Sequence, residues 1–303
     1  MPGESFDGRH KDSHVFIDNP TVPTQLEVLL DLLHAIRQKN APADSIKTLL
    51  QPKGLPDLTE SSKQAAHQLN AARELKLVAE DEQGNLRLTY PIREGKPSAK
   101  DSIIRAVDRH VLAAADVEPW FGRLYGYVIS LTNYEFPSEA PARKDLCTDF
   151  NSALAAHIER GNPLNDTKLP QYLRWYLYAG MGWRDPYKRF VLDPTERVRR
   201  ALTVIFDDAQ QLDAAAFMSS LAQACPELDG GALFMDTAID LNNTGDRVCT
   251  RALAITLRNL HDEGVIQLSC PKDNAGWSLE RGGKAKDHLQ SDRFDRVELQ
   301  FNR

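Results

Sequence analysis

Lys63, Gln64, His67, Gln68 and Asn70 fall within one short stretch, and their side chains are of the kind that reads nucleic acid. Gln and Asn amides pair with adenine edges in the major groove, and a lysine ammonium reaches guanine or phosphate. On a helix advancing about 100° per residue with Leu69 turned inward, Ala65, Ala66 and Ala72 share the core side. Lys63, Gln64, His67, Asn70, Ala71 and Glu74 then take the opposite face, with Gln68 at its flank. A small Ala71 lets such a helix approach closely. Arg87, after Gly84-Asn85, is placed to meet a phosphate or the minor groove. A merely solvated helix would carry the same polar face.

A second constellation has a different chemistry. With Leu253, Leu257 and Leu260 inward, the outer face of the helix over 250–263 shows Ala252, Ile255, Asn259, Asp262 and Glu263, with Arg251 and Arg258 at its sides. An exposed isoleucine beside two carboxylates suits a protein partner better than a phosphate backbone. The expected partner-binding residues are therefore Arg251, Ile255, Asn259 and Asp262. The bland alternative is a purely structural helix.

The chain has no G-x-x-x-x-G-K-[ST], G-x-G-x-x-G, H-E-x-x-H or G-x-S-x-G pattern. Cys147, Cys225, Cys249 and Cys270 are widely scattered, so their spacing suggests neither a zinc site nor a disulfide framework. The eight histidines do not cluster. The expectation is a protein with no catalytic residues, no metal and no cofactor.

The elements that must position the first set read as a winged-helix domain over residues 20–97. Thr24 would cap a helix running to Lys39, a short helix carries Ile46, Leu49 and Leu50, and Thr59 would cap the third. Strands over Leu77–Glu80 and Leu86–Tyr90 bracket the turn that follows. Residues 1–19 are expected to form a flexible leader without a secretory signal. The Pro- and Gly-containing stretch Pro91–Pro97 reads as a linker.

Residues 98–194 read as a central α-helical domain of four helical segments without a convincing strand. The segments are 98–115, 119–134, 144–160 and 172–183. Trp120, Tyr125, Tyr127, Trp175, Tyr176, Tyr178 and Trp183 either fill its core or line a pocket for a planar ligand, with Arg123, Arg174 and Arg184 nearby. Residues 195–303 read as a C-terminal winged-helix-like domain: a helix to Asp207, one over 213–224, the 250–263 helix, a hairpin around Lys272-Asp273-Asn274, and a last strand Arg296–Phe301 able to pair with that wing. The fold class is thus mainly α with small β-hairpins, two winged-helix domains flanking a central α-helical domain.

Net charge is −6 over 303 residues, which argues against coating nucleic acid by charge alone. Residues 20–97 and 98–194 are each neutral, whereas 195–303 carry net −4, so the N-terminal module is the better DNA binder of the two. No apolar run reaches the roughly 20 residues of a membrane span, and a reducing cytoplasm suits the cysteines.

The order of an N-terminal winged helix, a helical middle containing Leu173-Arg174-Trp175-Tyr176-Leu177-Tyr178-Ala179-Gly180-Met181-Gly182-Trp183, and a C-terminal winged helix resembles the DpdG-type proteins. These are encoded in bacterial clusters that handle 7-deazaguanine-modified DNA and restrict unmodified phage DNA. The resemblance implies a non-catalytic accessory subunit of an antiviral restriction system, working beside a helicase/ATPase or nuclease. It assigns no individual residue. The resulting expectation is a cytoplasmic adaptor that touches double-stranded DNA through its first module and a protein partner through its last, with a homodimer possible. The alternative is a dimeric winged-helix transcription regulator with a ligand-sensing aromatic middle domain.

Overall fold

The computed structural model describes residues 15–17, 21–36, 41–52, 63–90, 98–114, 117–131, 133–154, 163–237, 247–271, 276–279 and 292–300. The expected leader, the Pro91–Pro97 linker, the Thr59 cap and the turn at 272–274 lie outside these residues, Val15–Ile17 of the leader excepted. The chain is mainly helical with small antiparallel sheets. Among the described residues, no helix is long and apolar enough to cross a membrane.

Two compact units divide the chain, one of residues 1–106 and 114–119, the other of 107–113 and 120–303. The reading into parts at 98 and 195 therefore differs from this division. Helix α4 (Ala99–Ala106), expected to open the central domain, packs on α1 (Pro23–Ala35) in the first unit, and the middle and C-terminal parts share the second.

In the first unit α1 begins with Pro23 at its first position, where a missing N–H costs no helix bond, so the expected Thr24 cap is not used. Leu26, Leu29, Leu30 and Leu33 bury one stripe. Against it pack α2 (Ala43–Leu50), through Ile46, and α3 (Gln64–Glu74), through Leu69 and Ala72. Strands β1 (Val78–Glu80) and β2 (Leu86–Leu88) pair antiparallel, Val78 facing Leu88 and Glu80 facing Leu86. On the far side of β2, Pro42 bridges Asn85, and the Leu86 N–H donates to the Ala41 carbonyl at 2.8 Å. The segment before α2 thus adds a third rung, in the order 41–42, β2, β1.

In the second unit a π-helical stretch, Val107–Ala113, leads towards α5 (Pro119–Ser130), α6 (Ala140–Leu154) and α7 (Leu169–Tyr178). The middle of the chain also holds a three-stranded sheet, β3 (Glu135–Phe136), β5 (Phe190–Leu192) and β4 (Gly182–Arg184), in the order β3-β5-β4. This corrects the expectation of a strandless middle. The 172–183 segment is not one helix, because Gly180, at φ +67, turns the chain after α7 and lets 182–184 run back as a strand.

Trp120, Tyr125, Tyr127, Trp175 and Tyr176 are buried. The Phe121 and Tyr176 rings lie 4.3 Å apart, and those of Tyr125 and Tyr176 5.2 Å apart. The Tyr125 hydroxyl donates to the Met181 carbonyl and the Tyr176 hydroxyl to the Phe121 carbonyl, so both are satisfied inside the core. Of the seven aromatics considered for a pocket, Trp183 is exposed and Tyr178 half-buried; the other five are core.

The C-terminal part repeats the order of the first module. Helix α8 (Thr195–Phe206), strand β6 (Gln211–Asp213), helix α9 (Ala214–Ala224), the one-turn α10 (Ala232–Met235), helix α11 (Arg251–Asp262) and strand β7 (Ile266–Ser269) follow one another. After β8 (Trp277–Ser278) and β9 (Arg293–Phe294), which pair with each other, β10 (Arg296–Leu299) enters between β6 and β7. The expected pairing of the last strand with the wing holds, Val297 facing Leu268. The expected partner strand 277–279 instead pairs with β9, Trp277 facing Phe294.

Between α8 and the end of α9, Arg197 of α8 is buried with Glu227 at 2.8 Å, and donates to the Ala224 carbonyl at 2.7 Å. Asp108, from the π-helical stretch, holds Arg200 at 2.9 Å. Buried guanidinium and carboxylate are thereby paired, which the low dielectric demands.

Candidate nucleic-acid interface

Helix α3 and the β1–β2 hairpin form the surface that the sequence nominated. The helix exit is tight: Leu77 N–H returns to the Ala72 carbonyl at 2.8 Å, and Lys76 adopts φ +53. At the hairpin tip the Asp81 carboxylate accepts the Asn85 N–H at 2.8 Å and the Gln83 N–H at 3.0 Å, while Gly84 supplies φ +76. Asp81 also holds Arg87 through Nε at 3.1 Å and Nη2 at 2.9 Å. The Asn85 backbone bond, then the Arg87 guanidinium, keep the Asp81 carboxyl below the usual aspartate value.

The six nominated residues are not equivalent. Lys63, Asn70 and Arg87 are exposed, and Gln64 and His67 are half-buried. Gln68 is not at a solvent-facing flank: it is buried, and its amide donates to Gln25 Oε1 of α1 at 3.1 Å. Ala71, expected on the outer face, is also fully buried, whereas Ala66 is only half-buried. The helix is rotated relative to the Leu69-centred reading because α1 and α2 both pack on it and widen its buried arc.

Arg73 was missing from the nominated set. It lies one turn beyond Asn70, bonds Asn70 Oδ1 at 3.5 Å and pairs with Glu80 of β1, tying helix to hairpin. Its spacing from Asn70 was the available signal. Arg73–Glu80 and Arg87–Asp81 give this surface two cation–carboxylate pairs, and Lys47–Asp44 adds one within α2. Pairs this exposed contribute little, so a phosphate can replace the carboxylate at small cost. The surface can present amides and cations to a duplex, with little net charge to draw it in.

The corresponding helix of the second unit is buried over most of its length. Ala252, Leu253, Ala254, Thr256, Leu257, Arg258 and Leu260 of α11 are all buried. Asn259 donates to Thr195 Oγ1 of α8 at 3.5 Å, and the Arg251 guanidinium lies 5.8 Å from the Tyr134 ring centre. Ile255, expected to be exposed, is half-buried, as are Arg251 and Asn259; of the four nominated partner residues only Asp262 is exposed. The structure does not gather them into one open patch.

Comparison with known proteins agrees with the sequence pattern. A family model described as DpdG-like matches residues 15–274. No curated protein and no solved structure matches the chain.

Proposed function

The chain belongs to the DpdG-like family, and from that premise we propose that it is a non-catalytic DNA-binding adaptor of a bacterial multi-protein DNA-processing or phage-defence complex. The system would be of the 7-deazaguanine type that the family suggests. In this reading residues 20–97 act as a winged helix: α3 enters the major groove of double-stranded DNA and Arg87 on the hairpin meets the adjacent backbone. The C-terminal module, a second winged helix by its strand order, holds a protein partner, a helicase/ATPase or nuclease of the same system.

One observation carries the assignment of roles. Lys63 at the start of α3, Asn70 within it and Arg87 on the hairpin are exposed, whereas the outward positions Arg251, Ile255 and Asn259 of α11 are half-buried and its exposed end carries Asp262 and Glu263. Carboxylates at the exposed end of α11, with the net −4 of residues 195–303, oppose phosphate approach.

The test is a duplex-binding titration of the Lys63→Ala, Asn70→Ala, Arg87→Ala triple variant at low salt. These side chains are exposed, so the fold should persist, and affinity should fall by roughly 1–3 kcal/mol for each side chain that had been reading a base edge. Unchanged affinity would overturn the groove-reading role. Pull-down at native expression with mass spectrometry should recover a helicase or nuclease; a chain recovered only as a symmetric dimer would favour the transcription regulator.

A further inference from the structure

The middle of the chain carries a cleft of about 240 Å³ between the β3–β5–β4 sheet and the starts of α6 and α7, lined by Phe136, Leu173 and Phe190 and by three cations, Arg143, Arg184 and Lys188. We propose that it binds a nucleoside phosphate, the phosphate held among the three cations and the base laid along the apolar wall.

Charge comes first. Among the described residues no carboxylate pairs with Arg143, Arg184 or Lys188, whereas neighbouring Arg189 is held by Asp185 at 2.7 Å and Glu135 at 3.2 Å. The Arg143 Nε is buried and has no hydrogen-bond partner. An N–H shut away from water without an acceptor is costly, and an anion oxygen in the cleft would satisfy it. A phosphate monoester carries roughly −2 at neutral pH, which three unpaired cations can match.

The wall selects the rest of the ligand. Arg184 and Phe190 face each other across β4 and β5, so the guanidinium lies over the ring, 6.0 Å from its centre. Gly182 makes room for this floor: a Cβ there would stand 2.5 Å from Phe190 Cε1. Phe136 lies on the same face, its ring centre 6.0 Å from that of Phe190. Phe136, Phe190 and Leu173 are buried and form the floor beneath the cleft, while the half-buried Pro137 and exposed Pro170 supply the apolar edge against which a flat base would lie. Lys188, at φ +63 in the β4–β5 turn, is exposed at the mouth.

A free nucleotide and a nucleotide within a single strand offer the same chemistry, and two probes separate them. The full chain is titrated calorimetrically at low salt with thymidine 5′-monophosphate and with a single-stranded oligothymidylate, thymidine and inorganic phosphate serving as controls. The monophosphate should bind more tightly than either control, and Arg184→Gln with Lys188→Gln should weaken it about tenfold or more at an unchanged melting temperature. Arg143→Ala should weaken it as well. Tighter binding of the oligonucleotide, abolished in the same variants, assigns the cleft to a strand; equal binding assigns it to a free nucleotide.

No binding of either nucleotide form, undiminished binding in the variants, or inorganic phosphate binding as tightly as the monophosphate would each overturn the proposal. The Lys63, Asn70, Arg87 variant should keep its nucleotide affinity, so failure of the duplex-reading role and failure of this site are separate results.

Discussion

Two modules of this chain share one strand order and differ in what is packed upon it. In both, a helix, a short extended segment, further helices and closing strands follow in order, the second adding the one-turn α10 and the β8–β9 pair, and the last strand inserts between two others: 41–42, β2, β1 in the first and β6, β10, β7 in the second. In the first, the third helix keeps a solvent-facing side. In the second, 26 residues between α9 and α11 supply α10 and the turn in which Asp229 binds the Thr250 N–H and hydroxyl at 2.6 and 2.8 Å. There the outward side of α11 is half-covered by its neighbours. The same strand order thus leaves the third helix more or less open, according to what else is packed upon it.

Charge burial sharpens the contrast. The three ion pairs of α2, α3 and the first hairpin lie at the surface, whereas Arg197 and Glu227 are buried under the second module. The first surface is therefore open to exchange its partners, and the second is committed to its own.

The largest expected effect comes from placing a charge in either core. Leu69→Asp and Leu257→Asp each bury an unpaired carboxylate at a fully buried site, at a cost of more than about 4 kcal/mol. Limited proteolysis should find the Leu69 variant labile only up to about residue 106, whereas the Leu257 variant should expose the middle of the chain as well. Lability confined to 195–303 in the second variant would restore a separate central domain.

Next in size is Arg197→Ala, which strands Glu227 in the interior and should cost about 3–5 kcal/mol by chemical denaturation. A cost no larger than that of Arg87→Ala would show that the buried pair does not distinguish the modules. A smaller effect is expected for Gln68→Ala, about 1 kcal/mol, from losing the bond to Gln25. Its duplex affinity should be unchanged, unlike that of Asn70→Ala; a binding defect with intact stability would return Gln68 to the outer face.

The smallest concerns pH. The Asp81 carboxyl titrates below its usual value when folded, so the stability it lends is present above the unfolded value, on the order of pH 4, and fades as pH falls through the lower folded one. A carboxylate-detected NMR titration should show that low midpoint, and Asn85 and Gln83 amide shifts should follow it. A midpoint at or above the usual value would mean that Asp81 does not organise the tip.

Much of the fold was legible because it is written locally. The leucine stripe of α1, the Gly84-Asn85 turn and the helix over 250–263 each depend on residues within a few positions of one another, and each is present. The strand at 182–184 was hidden because Trp175 to Trp183 is continuously apolar and aromatic, which suits a buried helix or strand alike. Only pairing with β5, distant in neither sequence nor composition but settled by the Gly180 turn, decides it.

The cleft was illegible for a related reason. Arg184 was noticed for its aromatic neighbours, but Arg143 and Phe136 reach the same space from other elements. Spacing along the chain carries no trace of that convergence.

The sequence by itself determined most of the helices and the first hairpin, their order, the neutral first parts and acidic last third, and the family. The tertiary structure alone decided which side of each helix meets water. Periodicity defines one apolar stripe, but burial follows the number and angle of neighbours. Thus Gln68 and Ala71 are drawn inward where α1 and α2 flank α3, and Ile255 and Asn259 are half-covered where α8 and Tyr134 close over α11.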